Sequence, residues 1–262
     1  MSEEDTPSSI TPSGRIVRWF VGGLPLGLVL MGALSFVFYF NKRNKPDVQP
    51  VEFAAMLQKS LNVEDFQRYV RVLQKDLGER TLRQPDNLEA AAAFMESTMG
   101  ADNMGYATLR QEYDEAGKPL ENVIAQLAGK SLPGDAIVVL TSHDSSERNT
   151  PDEAAGSALM LCEAHQLTGN PQNRTIVFLS VANAHATRED ANGCWQAAQH
   201  GVFKDLKIVQ FIVLEPADRV EADHYRFPEL WKDVPVVKVP VKATATLVEL
   251  HAFDEQLRKA AQ

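Results

Sequence analysis

The stretch TSHDSSERNTPDEAAGSALM, beginning at Thr141, sets a histidine beside an aspartate and then a Pro-Asp-Glu ahead of a run of small residues. Imidazole nitrogen and carboxylate oxygen are donors that zinc takes in a tetrahedral arrangement. The same donor types recur at His185, at Glu215, and at Asp223-His224 ahead of Tyr225. His143, Asp152, His185, Glu215 and His224 are among the side chains that could ligate a metal. Each also has a plainer reading. Thr150-Pro151-Asp152-Glu153 has the form of a helix capping box with proline at the first helical position, and acidic groups favour that end of a helix. His143 with Asp144 suits a surface ion pair or a remnant of a former metal site, and His185 suits a solvated loop. His165, His200 and His251 lie in helical stretches with no partners in register and read as surface residues.

Strands and helices spaced along the chain position these groups. AIVVLTS, RTIVFLSV, KIVQFIVL and VPVVKVPV are near-continuous apolar runs, the signature of strands buried on both faces. Helical stretches fall between or after them, from Asp152 to Leu167, Glu189 to His200 and Thr246 to Ala261. This alternation predicts an α/β domain with a mostly parallel central sheet and helices on both faces. Ligands of open α/β sheets bind beyond the carboxyl ends of the strands. Ser142-His143-Asp144, Asn183-Ala184-His185 and Glu215 all stand there. Upstream, the apolar spacing from Val51 to Gly78 predicts two helices broken near Leu61-Asn62. A third helix starts after Pro85-Asp86 and stops at Gly100. YATLRQEY and LENVIAQLAG, on either side of DEAGKP, predict a hairpin.

The order of these motifs carries a resemblance. ENVIAQLAGKSLPGDAIVVLTSHDSS, PDEAAGSALML, RTIVFLSVANAH, IVLE and ADHYRF followed by VPVVKV together resemble the zinc-dependent aminopeptidase family. That family includes bacterial leucyl aminopeptidases, with glutamate carboxypeptidase and the transferrin receptor ectodomain as more distant relatives. The resemblance runs from about Leu61 to the C-terminus and implies a zinc-aminopeptidase-like fold. Its pattern reads roughly A-H-Y-D-S, P-G-A-D-D-N-A-S-G, G-A-E-E, L-D and S-D-H, with two zinc ions and a glutamate base. Carried over position by position, the first metal histidine becomes Ser142, with His143 next to it. The bridging aspartate becomes Pro151, with Asp152 next to it. The catalytic glutamate becomes Ala184, the metal glutamate beside it becomes His185, and the next metal aspartate becomes Glu215. His224, preceded by Asp223, matches a ligand outright.

A zinc-bound water needs a base, worth roughly 10² to 10⁴ in rate, and alanine supplies none. A two-zinc site needs a bridging carboxylate, and proline supplies none. The expectation is a degraded two-zinc site that holds no zinc or a single ion, in a non-catalytic binding or scaffolding module with a peptide or protein ligand. An active zinc metallo-exopeptidase with a rearranged ligand set is the alternative.

The remaining features bound the setting. The 262 residues carry a net charge of −9, which argues against nucleic-acid binding. Two cysteines, Cys162 and Cys194, are too few for a disulfide framework or a thiolate zinc site. Residues 1–18 are polar and Ser/Thr/Pro-rich, as disordered tails are. The uncharged run from Trp19 to Phe40 is long enough to span a bilayer, which predicts a transmembrane helix over 19–41 and anchorage in a membrane. Residues 42–50 read as a linker and 51–262 as the aminopeptidase-like domain. Arg15 and Arg18 before the span, against Lys42, Arg43 and Lys45 after it, tilt the domain toward the cytoplasm. The resembled family works outside the cytoplasm, and the expectation follows the family: a single-pass protein with its domain in the periplasm or outside the cell.

Overall fold

The computed structural model describes Met31, residues 56–184, Ala186, and residues 188–219 and 225–262. The tail, the linker and, Met31 apart, the predicted span lie outside the described residues, as do His185 and His224. No helix of the described residues is long and apolar enough to cross a membrane. The chain divides into Met1–Pro46 and Asp47–Gln262, and the fold is that of the second unit.

The first helix, α1 (Val63–Arg71), starts where Asn62 caps it by accepting from the Asp65 amide at 2.7 Å. A π-helical turn, Val72–Asp76, continues it. Helix α2 (Pro85–Met99) opens on its proline, which has no amide proton to leave unsatisfied there. Strands β1 (Thr108–Glu115) and β2 (Lys118–Leu127) pair antiparallel around Ala116-Gly117. Both turn residues have positive φ, 54° and 80°, the twist that two-residue hairpin turns require.

Then β3 (Leu132–Ser142), α3 (Asp152–Leu167), β4 (Arg174–Val181), α4 (Gly193–Gln199), β5 (Lys207–Pro216), β6 (Val236–Val241) and α5 (Leu247–Ala260) complete the domain. The sheet order is β1-β2-β4-β3-β5-β6. β3 runs parallel to β4 and β5, and β5 parallel to β6, whereas the hairpin joins antiparallel through β2 and β4. The sheet is therefore mixed, with its parallel half where the apolar runs predicted it.

Helices cover both faces. On one, Phe66, Met95, Met99 and Leu257 meet Val139, Phe178 and Ile212. On the other, Cys194, Phe203 and Trp231 meet Val138, Leu140, Leu179 and Phe211. Gly156 of α3 faces the sheet so closely that a Cβ would lie 2.7 Å from Thr141 Oγ1. The helix expected from Glu189 to His200 is broken. A 3-10 turn, Glu189–Ala191, precedes α4, because Asn192 turns inward to cap it and to donate to the Ala184 carbonyl at 2.9 Å.

One core contact sets a pH dependence. Glu163 of α3 is fully buried near Asp254 of α5, which Arg258 Nε reaches at 2.7 Å, and neither Glu163 carboxyl oxygen has a hydrogen-bond partner among the described residues. Burial first, and the Asp254 charge second, push the Glu163 carboxyl well above its ordinary range. An acid so raised contributes stability that is complete below its unfolded pKa, near 4.5, and lost as pH rises toward the folded value. Glu163→Gln is expected to raise stability at pH 8 by about 1–3 kcal/mol, the scale of relieving one buried unsatisfied group. Urea unfolding at pH 5 and pH 8 measures it. A variant no more stable than the parent at pH 8 would refute the assignment.

Candidate functional site

The strand ends of β3, β4 and β5 bring Ser142 to Asp144, Ala184 and Glu215 to one edge of the sheet, and hydrogen bonds tie the first two of these ends together. Ser142 Oγ donates to Asp144 Oδ1. The other oxygen of Asp144 accepts from the Ala184 amide at 2.9 Å. One carboxylate thus joins the loop after β3 to the loop after β4. Ala184 is completely buried, with a methyl group where the resemblance places a base.

His143 is buried too, at 1% exposure, and is no surface ion pair. Its amide donates to the Val181 carbonyl at 3.1 Å, and its ring Nδ1 lies 2.9 Å from Ser180 Oγ. Burial, then the charges of Arg80 and Arg110, pull the imidazole down to about 3, so it is neutral at physiological pH. Among the described residues, the largest fully buried side chain is one that sequence reasoning passed over. Arg80 donates through Nε to the His143 carbonyl at 2.7 Å, and through Nη1 to Leu73 O, to Gly78 O at 3.0 Å and to Asn149 Oδ1 at 3.1 Å. Burial lowers its guanidinium to about 10, partly offset by Asp144, and it stays charged. LGERTLR gave no local sign that one of its charges is a core residue.

The start of α3 departs from the expected capping box. Glu153 Oε2 does accept from the Thr150 amide at 3.0 Å, and from the Ser146 amide at 3.2 Å. Thr150 Oγ1, however, points to Asp218 Oδ2 at 3.0 Å instead of capping the helix. Asp152 turns toward the β6–α5 connection, where Oδ1 accepts from the Ala243 amide at 2.7 Å. Glu215, 1% exposed at the end of β5, meets Lys238 Nζ of β6 at 3.2 Å. Tyr225 stands near Asp144, Glu215 and Cys194 and hydrogen-bonds the Ser142 backbone; burial leads in raising its phenol well above the usual tyrosine range.

His143, Asp152 and Glu215 therefore face three different sets of partners. Among the described residues, no three His, Cys, Asp or Glu side chains gather as a metal-holding group. Cys162 and Cys194 are buried in the core, which pushes both thiols up, Cys162 to about 12.

No protein-family model matches the chain, and no curated protein does. Solved structures do. A Zn-dependent exopeptidase from Parabacteroides distasonis aligns at a TM-score of 0.56 and 11% identity, over 78% of this chain and 98% of its own. A candidate Zn-dependent exopeptidase from Bacteroides vulgatus aligns at 0.54 and 14%, over 78% and 97%. Glutaminyl cyclase from Porphyromonas gingivalis aligns at 0.52 and 12%, over 76% and 96%. The fold is similar to that of zinc-dependent exopeptidases and glutaminyl cyclases. At such identities the likeness concerns the fold alone, and it agrees with the fold that the order of motifs implied.

Proposed function

We propose that this chain is a membrane-anchored, metallo-aminopeptidase-like domain whose two-zinc site has degraded, and that it serves as a non-catalytic binding or scaffolding module for a peptide or protein. The observation that carries this reading is the Glu215–Lys238 pair, 3.2 Å apart at the end of β5. Lys238 brings a fixed ammonium to the carboxylate that the resemblance makes a metal ligand. Zinc bound there would have to displace that charge or repel it. The buried methyl of Ala184 supports the same reading, since it accepts no proton from a metal-bound water. A single residual zinc would draw on Asp152, His185 and His224.

The test is metal content and hydrolysis, both on the full chain purified in detergent without chelators. Elemental analysis is expected to find far less than one zinc per chain. Aminoacyl p-nitroanilides are expected to be cleaved no faster than in a protein-free blank, with or without added zinc. Robust, chelator-sensitive cleavage would overturn the reading in favour of an active exopeptidase.

We further infer that residues 19–41 anchor the chain and that the domain lies outside the cytoplasm. Support comes from the family resemblance, weighed against the basic-residue count flanking the span. Ser60 is exposed, and both native cysteines are buried, so Ser60→Cys gives a clean reporter. A membrane-impermeant maleimide is expected to label it in intact cells, after outer-membrane permeabilisation in a Gram-negative host. Labelling only after lysis would put the domain in the cytoplasm.

A further inference from the structure

Between the start of α2 and the loop after β3 lies a hollow of about 410 Å³, within the range of roughly 300–1,000 Å³ that small-molecule sites occupy. It opens at the carboxyl ends of β3 and β4, the edge where open α/β sheets take ligands. Of the described candidate metal ligands, His143, Asp152 and Glu215, none lines it.

Its walls are fixed before any ligand arrives. The Arg80 amide donates to Ser145 Oγ at 2.9 Å, and the Ser145 amide returns a bond to the Arg80 carbonyl at 2.9 Å. These bonds clamp the two lining segments together. Leu82 and Leu88 supply an apolar wall, backed by Leu120, Ala182 and Tyr113. Arg83 Nη1 and Glu147 Oε1 form an ion pair 2.6 Å apart, with side chains 74% and 64% exposed. An exposed pair of this kind is worth only about 0–1 kcal/mol, so its two charges exchange partners readily.

We propose that this hollow binds a free α-amino acid with an apolar side chain. The α-carboxylate would sit against Arg83, the α-ammonium against Glu147, and the side chain against Leu82 and Leu88. Both charges of an α-amino acid hang from one carbon, which suits host charges that are adjacent. The termini of even a dipeptide are separated by one further residue, roughly 3.5 Å more, and do not suit an adjacent pair. The inference goes beyond the function proposed above and stands whether or not zinc binds.

Equilibrium dialysis of labelled L-leucine against the full chain in nanodiscs tests it. Saturable binding is expected in the range of about 0.1–5 mM, as a small ligand held by an exposed rim allows. N-acetylleucine, which lacks the ammonium, and leucinamide, which lacks the carboxylate, should each bind at least about tenfold more weakly, the loss of about 1.4 kcal/mol. Arg83→Ala and Glu147→Ala should each weaken leucine binding similarly while leaving the thermal unfolding temperature unchanged, because both side chains are exposed. Absence of saturable binding, analogues that bind as well as leucine, or a Leu-Leu dipeptide that binds better would each overturn the proposal.

Discussion

Arg80→Met is expected to destabilise the domain by about 3–5 kcal/mol, the scale of breaking a buried, hydrogen-bonded charge network from one side. Methionine keeps the length and apolar character of the stem. It leaves the carbonyls of Leu73, Gly78 and His143 without the donors that now reach them, and removes the Arg80 charge that acts on Asp144. Arg80→Lys should recover only part of the loss, since one ammonium cannot serve carbonyls spread around a planar fork. Urea unfolding of the two variants beside the parent reads the effect. A loss below about 1 kcal/mol for Arg80→Met, which is surface-charge behaviour, would mean that Arg80 does not hold these loops together.

Acid is expected to act through His143. Its folded pKa is depressed to about 3, against about 6.5 in an unfolded chain. The stability it contributes is complete above 6.5 and is lost as pH falls toward 3, because only the unfolded state then gains the proton. By pH 5 the loss from this group alone is about 2 kcal/mol relative to pH 7.5. Glu163 works in the opposite direction over the same interval, so the comparison belongs in a Glu163→Gln background. His165, half-buried and also lowered chiefly by burial, is common to both members of the comparison. In that background His143→Asn, which keeps a polar atom facing Ser180, should flatten the slope between pH 7.5 and 5. Equal slopes with and without His143 would show that the imidazole is already accessible to protons in the folded state.

Much of the fold was legible because its signals are local. An unbroken apolar run is a strand buried on both faces wherever it lies, and Asn62, Pro85 and Thr246 each mark a helix start by chemistry within their own turn. Thr246 and Glu249 form a complete capping box, whereas Thr150 and Glu153 form half of one. The two tetrapeptides look alike; the difference is Asp218, 68 residues away, which takes the Thr150 hydroxyl. Strand β3 starts ahead of its apolar run AIVVLTS, because Pro133 and Gly134 interrupt the hydropathy without ending the strand. In the structure Leu132 still pairs with Arg174 across a register shift.

The site was legible only as positions. That Ser142, Ala184 and Glu215 share one edge of the sheet follows from strand periodicity. What each side chain meets there depends on partners far along the chain. Arg80 reaches His143, Asp144 reaches Ala184, and Lys238 reaches Glu215. Lys238 alone left a trace, as the single charge within the apolar VPVVKVPV run. Taken by itself it reads equally well as a charge guarding the edge strand β6 against pairing with another chain.

The strand order has a consequence for synthesis. The hairpin β1–β2 is complete as soon as Leu127 has emerged, yet the partner of β2 is β4, which begins at Arg174. At about 5–20 residues per second, the chain carries that open edge for several seconds before its mate exists. During this wait Val123 and Ala125, fully buried at the end, have no cover from the sheet's later helices and strands. A nascent chain stalled between Leu127 and Arg174 should therefore be the form most readily caught by holdase chaperones, and release should follow translation through Val181.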